Sequence, residues 1–145
     1  MAVFKLDHIE DIKYQINSKY NYDIFNVDDI STSLGNRMSI NDSRMEFQMS
    51  VIFRDSNEVE LLSQTLKYVF IGDFKDCILL GDKKNEEKKK KLQSLMVNVT
   101  NIVLGGIRGV IFAKTVNHPI FSKFPVPLIG TDRIEKSINE MIEKR

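Results

Sequence analysis

Two histidines, His8 and His118, and the lone Cys77 are the side chains best suited to ligate a metal or to attack a substrate. They lie far apart in sequence and none has a neighbour at metal-ligand spacing, so the pattern predicts no metal site. The run Gly105-Gly106-x-x-Gly109 resembles a phosphate cradle only superficially. It falls inside a helical pattern, whereas a phosphate loop sits between a strand and a helix. Glycine in a helix interior costs up to about 1 kcal/mol relative to alanine. What it allows is close approach, so the run predicts a tight helix crossing or a helix-on-sheet contact. Arg108 stands in the same apolar stretch and needs an acceptor if buried. A carboxylate across a subunit interface and a plain surface position are both open to it. No pair of carboxylates stands out for acid–base work, and no serine or cysteine has an identifiable base. The residues therefore point away from an enzyme, and they call for no cofactor.

The helix that must carry those glycines is the strongest pattern in the chain. From Glu86 to about Asn117, Leu92, Leu95, Met96, Val99, Ile102, Val103, Gly106 and Val110 recur at spacings of three and four. That is one face of an α-helix. About 30 residues at 1.5 Å each give a rod on the order of 45 Å. A small domain is hardly longer than about 30 Å, so part of the rod is expected to pack on a second copy of the chain. Leu95, Val99, Ile102, Gly105, Gly106, Arg108 and Gly109 are the expected oligomer contact.

Ahead of the helix, Gly81 to Lys91 holds six lysines against Asp82, Glu86 and Glu87. Glu86 and Glu87 precede Lys90 and Lys91 by four, the favourable order for pairs on one helix. The acidic pair also suits a helix N-terminus. The run reads as a solvated helix start, not as a nucleic-acid site. Pro119 ends the helix or follows it closely.

The strands come first. Val3 to Ile16 reads as an uneven strand, with a bend or bulge near His8 to Asp11. Lys19 to Asn26 is a candidate edge segment. Asp28-Asp29 begins a polar connection through Ser31, Thr32, Ser33, Gly35 and Asn36, and Arg37 to Ile40 leads across a turn or bulge at Asn41-Asp42 into a clear strand. There Met45, Phe47, Met49, Val51 and Phe53 alternate with polar residues. Asp55-Ser56-Asn57 is a turn. Leu62, Leu66, Tyr68 and Phe70 then share one face, with Gln64 as the exception, and Val69 and Ile71 lie on the other. The two strands make an antiparallel hairpin. After the helix, Phe121 to Ile129 is an apolar loop with Pro125 and Pro127, Thr131 is an N-cap, and Ile134, Ile138, Met141 and Ile142 stripe a short C-terminal helix.

Length and composition fit this order. The chain has 145 residues, 42% apolar and 28% charged, with 21 basic and 20 acidic side chains and a net charge of +1. This suits one domain, residues 1–145, with one core, and gives no general attraction to nucleic acid or anionic membrane. A lone cysteine suits the reducing cytosol, and Met1 to Glu10 lacks the apolar core of a signal peptide. Leu95 to Ala113 reads as too polar and too glycine-broken to span a membrane. The expected location is cytoplasmic.

This order of parts resembles the SecB-like family of protein-export chaperones, including relatives attached to toxin–antitoxin systems. The resemblance covers about Val3 to Met141. It is carried by Tyr68-Val69-Phe70-Ile71-Gly72-Asp73-Phe74, by the helix around Val103 to Ala113, and by Phe124-Pro125-Val126-Pro127-Leu128-Ile129. It implies an α+β fold, a four-stranded antiparallel sheet with a long helix and a short C-terminal helix, and assembly into dimers or dimers of dimers. It also implies ATP-independent holding of unfolded polypeptides in apolar grooves, with Phe70, Phe74, Phe121, Phe124, Ile138 and Met141 as candidate lining. A translocase motor or an antitoxin is the further partner implied. The near-neutral charge departs from the acidic surface with which such proteins meet the motor. A regulatory oligomerisation module for one specific protein partner is the alternative.

Overall fold

The computed structural model describes residues 4–24, 27–75 and 86–121, together with Lys136 and Glu140. Four antiparallel strands form one sheet: β1 (Phe4–Ile16), β2 (Ser31–Ile40), β3 (Arg44–Arg54) and β4 (Glu60–Gly72), in the order β1-β4-β3-β2. One helix, α1 (Glu86–Thr115), packs on β3 and β4.

Alternation decides which side of the sheet becomes core. Met45, Phe47, Met49, Val51 and Phe53 of β3 pair with Phe70, Tyr68, Leu66, Gln64 and Leu62 of β4, and all ten are buried. α1 covers this face with Leu92, Leu95, Met96, Val99, Val103, Ile107 and Ile111. The helix is unbroken through Gly105 and Gly106, so the expected rod is present. Glu86 and Glu87 pair with Lys89 and Lys91 at its start. At its other end the Thr115 hydroxyl donates to the Ile111 carbonyl (2.7 Å), and His118 N–H donates to the Thr115 carbonyl (2.9 Å).

The turn signal at Asp55 is a built hairpin corner. Asp55 Oδ1 accepts from the N–H groups of Asn57 and Val59, both at 2.9 Å, and Oδ2 accepts from the Tyr20 hydroxyl at 2.9 Å. Burial pushes this carboxyl up, but the three donors, Val59, Tyr20 and Asn57, together more than offset it, so Asp55 stays below its ordinary value. Glu58 closes the corner in the left-handed region, with φ at 64°.

β1 is uneven as expected, with register shifts between Leu6 and His8 and between Asp11 and Lys13. Ser31 to Asn36, expected as a connection, is instead the first half of edge strand β2. Its polar side chains carry no apolar alternation, and it is the β3 backbone that holds it in the sheet. Lys19 to Ile24 does not pair at an edge. It turns back by the start of β4, with the Tyr22 hydroxyl donating to the Asn17 carbonyl (2.9 Å) and Asn17 N–H donating to the Leu61 carbonyl (2.8 Å).

The opposite face of the sheet is mostly polar, with Val69 buried and Ile71 38% exposed among its charges. A line of charges crosses three strands there, from Arg44 to Glu46 (3.0 Å), to Lys67 (3.3 Å) and on to Glu10 (3.8 Å). His8 extends it, with Asp7 at 2.6 Å and Glu10 at 3.4 Å. The bond to the Asp7 carboxylate, more than any other contact, raises the His8 imidazole above its ordinary value.

Candidate interaction surface

The apolar stripe of α1 does not stay on one side. At 3.6 residues per turn the buried line passes from Leu92, Leu95, Met96 and Val99 to Val103, Leu104, Ile107, Ile111 and Thr115. Ile102 therefore leaves the core and is 48% exposed. Gly105, Gly109, Phe112 and Val116 follow it on the outer side, with Phe112 62% and Val116 55% exposed. Asn98 and Asn101 share that side. The outcome is an uncharged outer face of apolar and small residues along the second half of α1.

The expected oligomer contact divides along this line. Ile102, Gly105 and Gly109 lie on the outer face. Leu95 and Val99 do not: they pack into the sheet, because the stripe there points at β3 and β4. Gly106 is also turned inward. A methyl group at its Cβ position would sit 1.7 Å from Tyr68 Oη. Gly105 and Gly109 differ, since a Cβ at either meets nothing within 4 Å. Arg108 is half-buried and makes no ion pair with the described residues.

Of the candidate groove residues, Phe70, Phe74 and Phe121 belong to the core of the single chain, each 2% exposed or less. Phe70 takes the edge of Phe4 at 5.4 Å, and Phe121 stacks on Phe53 at 5.8 Å. Their density of aromatic contacts is what a core needs, and it leaves them no open side. Phe124, Ile138 and Met141 lie outside the described residues, as do Cys77, the expected cap at Thr131 and most of the segment expected as a C-terminal helix. Lys136 and Glu140 are helical.

A second exposed set, missed in the sequence, lies on β1. Leu6 and Ile9 pair with Phe70 and Tyr68, which puts them on the helix side of the sheet. α1 covers β3 and β4, so both remain beside it at 43% and 46% exposure, and Ile12 joins them at a register shift. The period-breaking shifts hid this face from simple alternation. β1 is also a sheet edge, so one row of its backbone groups is unpaired within the sheet.

A polar pin fixes the end of α1 to β1. Gln64 is fully buried, and its Nε2 donates to Asp11 Oδ1 (2.8 Å) and to the Lys13 carbonyl (3.0 Å). Lys114 Nζ donates to Gln64 Oε1 (2.9 Å) and to Asp11 Oδ2, and stands 4.5 Å above the Tyr14 ring. The Lys114 bond, then the Gln64 bond, holds the Asp11 carboxyl below its ordinary value. Gln64, the polar exception in β4, is thus the centre of a satisfied network. Lys114→Met should lower unfolding stability by about 1–3 kcal/mol, because it strands a buried amide oxygen. Urea unfolding against wild type measures this.

The described residues bring no reaction centre together. A 270 Å³ depression is lined by Gln15, Ile16, Asn17, Ser18, Lys19 and Glu60, and a 190 Å³ one by Gly35, Asn36, Arg37, Gln48 and Ser50. Neither sets a nucleophile beside a base. Among the described residues no group of three His, Cys, Asp or Glu side chains could hold a metal ion. Against expectation, Glu86–Lys114 is by length and composition apolar enough to cross a membrane. In the fold that apolarity has a use on one side, the contact with β3 and β4.

The chain is similar in structure to the SecB-like chaperone of Mycobacterium tuberculosis solved in complex with a peptide from an antitoxin. The TM-score is 0.56 at 11% sequence identity, over 87% of this chain and 90% of that one. It is also matched to a protein of unknown function from Streptococcus agalactiae, with a TM-score of 0.41 and 7% identity over 90% of this chain and 99% of that one. No family model and no curated protein matches the chain. At such identity the first likeness bears on the fold: α+β, with a four-stranded antiparallel sheet and one long helix, as in a SecB-like chaperone.

Proposed function

We propose that the chain is a cytoplasmic, ATP-independent holdase that binds unfolded or non-native polypeptides and works as an assembly of identical copies. The observation that carries this is the pair of exposed apolar faces, Ile102 and Phe112 on α1 with Val116 just past its end, and Leu6–Ile9–Ile12 on β1. The shared fold with a chaperone supports it. The α1 face suits self-association, since its glycines permit close approach of a second helix. The β1 face suits a client, because an extended polypeptide can add a strand to the free edge and lay alternate side chains on Leu6 and Ile9. Each contact contributes roughly 25 cal/mol per Å² of apolar surface covered. Such contacts accept many sequences.

A narrower reading is favoured by one fact. The structural neighbour was solved with an antitoxin peptide. On this reading the chain serves one protein partner, an antitoxin or a translocase motor among the candidates, and holds no general clients. One assay separates the two. A holdase at near-stoichiometric amounts suppresses aggregation of several unrelated unfolded proteins without nucleotide, and Ile9→Glu weakens that suppression. Failure on every unrelated protein, with tight binding to a single partner, decides for the narrower reading.

A further inference from the structure

His118 holds the chain where it leaves α1. Its Nδ1 accepts from the backbone N–H of Ile120 and from that of Phe121, both at 3.1 Å. Pro119, directly after His118, has no N–H to offer. The imidazole must be neutral at Nδ1 to accept both bonds. The same turn recurs elsewhere with an amide: Asn41 Oδ1 accepts from Ser43 N–H (3.0 Å) and Arg44 N–H (2.8 Å), two and three residues on.

The turn closes an aromatic box. The Tyr22 ring meets His118 edge-on at 4.7 Å, Phe121 lies 4.8 Å from His118, and Phe121 stacks on Phe53. The box joins α1, the segment after β1, and the end of β3. The groups facing His118 from these elements offer an imidazolium little. Tyr22 is itself pushed up to about 12 by burial and stays neutral. Asp55, at the end of β3, is committed to Tyr20 and to two backbone donors. On α1, Lys114 is a cation held by Asp11 and Gln64. Among the described residues no carboxylate pairs with His118, and burial lowers its pKa.

We propose that His118 is an acid-sensitive latch: a proton added at Nδ1 breaks both backbone bonds, opens the aromatic box, and exposes Phe121 and Phe53. The proton comes from solvent and occupies the lone pair that served Ile120 and Phe121. The charged ring then points an N–H at two N–H groups, and the turn cannot hold. Acidification thus uncovers apolar surface at the end of α1 while the sheet and the rest of the helix remain.

Asparagine is the discriminating substitution, since His118→Asn can keep the turn with an acceptor that does not titrate. Wild type should bind an apolar dye several-fold more strongly as pH falls from about 7.5 to about 5, with a midpoint below about 6.5. His118→Asn should stay flat, and His118→Ala should bind dye at every pH. In wild type the Ile120 and Phe121 amide resonances should move with the His118 titration, with far-UV circular dichroism unchanged. His8 is present in all three proteins and cancels. Superimposable dye curves for wild type and His118→Asn overturn the proposal, as do amide resonances that ignore His118. If His118→Ala does not fold, the comparison with asparagine still decides. No client enters the experiment, so its failure is distinct from failure of the holdase reading.

Discussion

Gly106→Leu should destabilise the chain itself, by about 3 kcal/mol or more, with a fall in Tm on the order of 10 °C. A Cβ at Gly106 would lie 1.7 Å from Tyr68 Oη and 2.9 Å from Cζ. The Tyr68 hydroxyl is the far end of a side chain, but the ring has little room to retreat. It is buried on central strand β4, stacked 6.2 Å from Phe70, and its cross-strand neighbour Phe47 is fully buried. Either α1 lifts from the sheet or Tyr68 leaves its rotamer, and both break contacts in the hydrophobic core. A domain with roughly 5–15 kcal/mol in hand notices such a loss. Gly106→Ala gives the sign more cleanly. On an open helix surface that change gains up to about 1 kcal/mol, whereas here it should cost stability. Tyr68→Phe removes the atom in the way, so Gly106→Ala with Tyr68→Phe should recover part of the loss. A double-mutant cycle coupling of at least about 1 kcal/mol is expected. A Gly106→Ala protein that melts at or above wild type would show that the helix does not approach Tyr68 this closely.

The reach of the sequence can be read from the same residues. Strict alternation in β3 and the three-and-four spacing of α1 were legible because burial on one side leaves a period, whereas β4, buried on both faces around Ser63 to Thr65 and at Val69, showed it only in Leu62, Leu66, Tyr68 and Phe70. β2 was half hidden, because Ser31 to Asn36 is held by backbone bonds and carries no such period. Gly105, Gly106 and Gly109 together predicted a close approach, and among the described residues of the single chain only Gly106 of the three makes one. A stripe read as one straight face put Gly106 with Ile102, whereas the helix turns one toward Tyr68 and the other outward. Gln64 looked like a misfit in an apolar strand. Its partners, Asp11 and Lys114, stand 53 and 50 residues away in sequence, and no local pattern connects them. Phe70, Phe74 and Phe121 were recognisable as large and apolar, but composition cannot tell a groove from a core.

The two outward glycines carry the sharpest test of assembly. For a lone chain, Gly105→Leu with Gly109→Leu should be harmless or favourable. Neither Cβ would meet an atom within 4 Å, and each glycine replaced in a helix interior returns up to about 1 kcal/mol. A second helix seated on that face would lose its close approach, because two leucines would stand where the backbones need to meet. The double variant should therefore keep its circular dichroism and its melting temperature at high dilution, while its mass by light scattering falls below that of wild type. Phe112→Glu should act alike for a different reason: its ring is 62% exposed in the single chain, and a contact would bury a carboxylate without a partner. The two substitutions share no chemistry beyond their place on α1, so agreement between them assigns the contact to that face and not to a local disturbance. Unchanged mass in both would remove the outer side of α1 from the assembly and turn the search to the β1 edge, where Leu6, Ile9 and Ile12 are exposed.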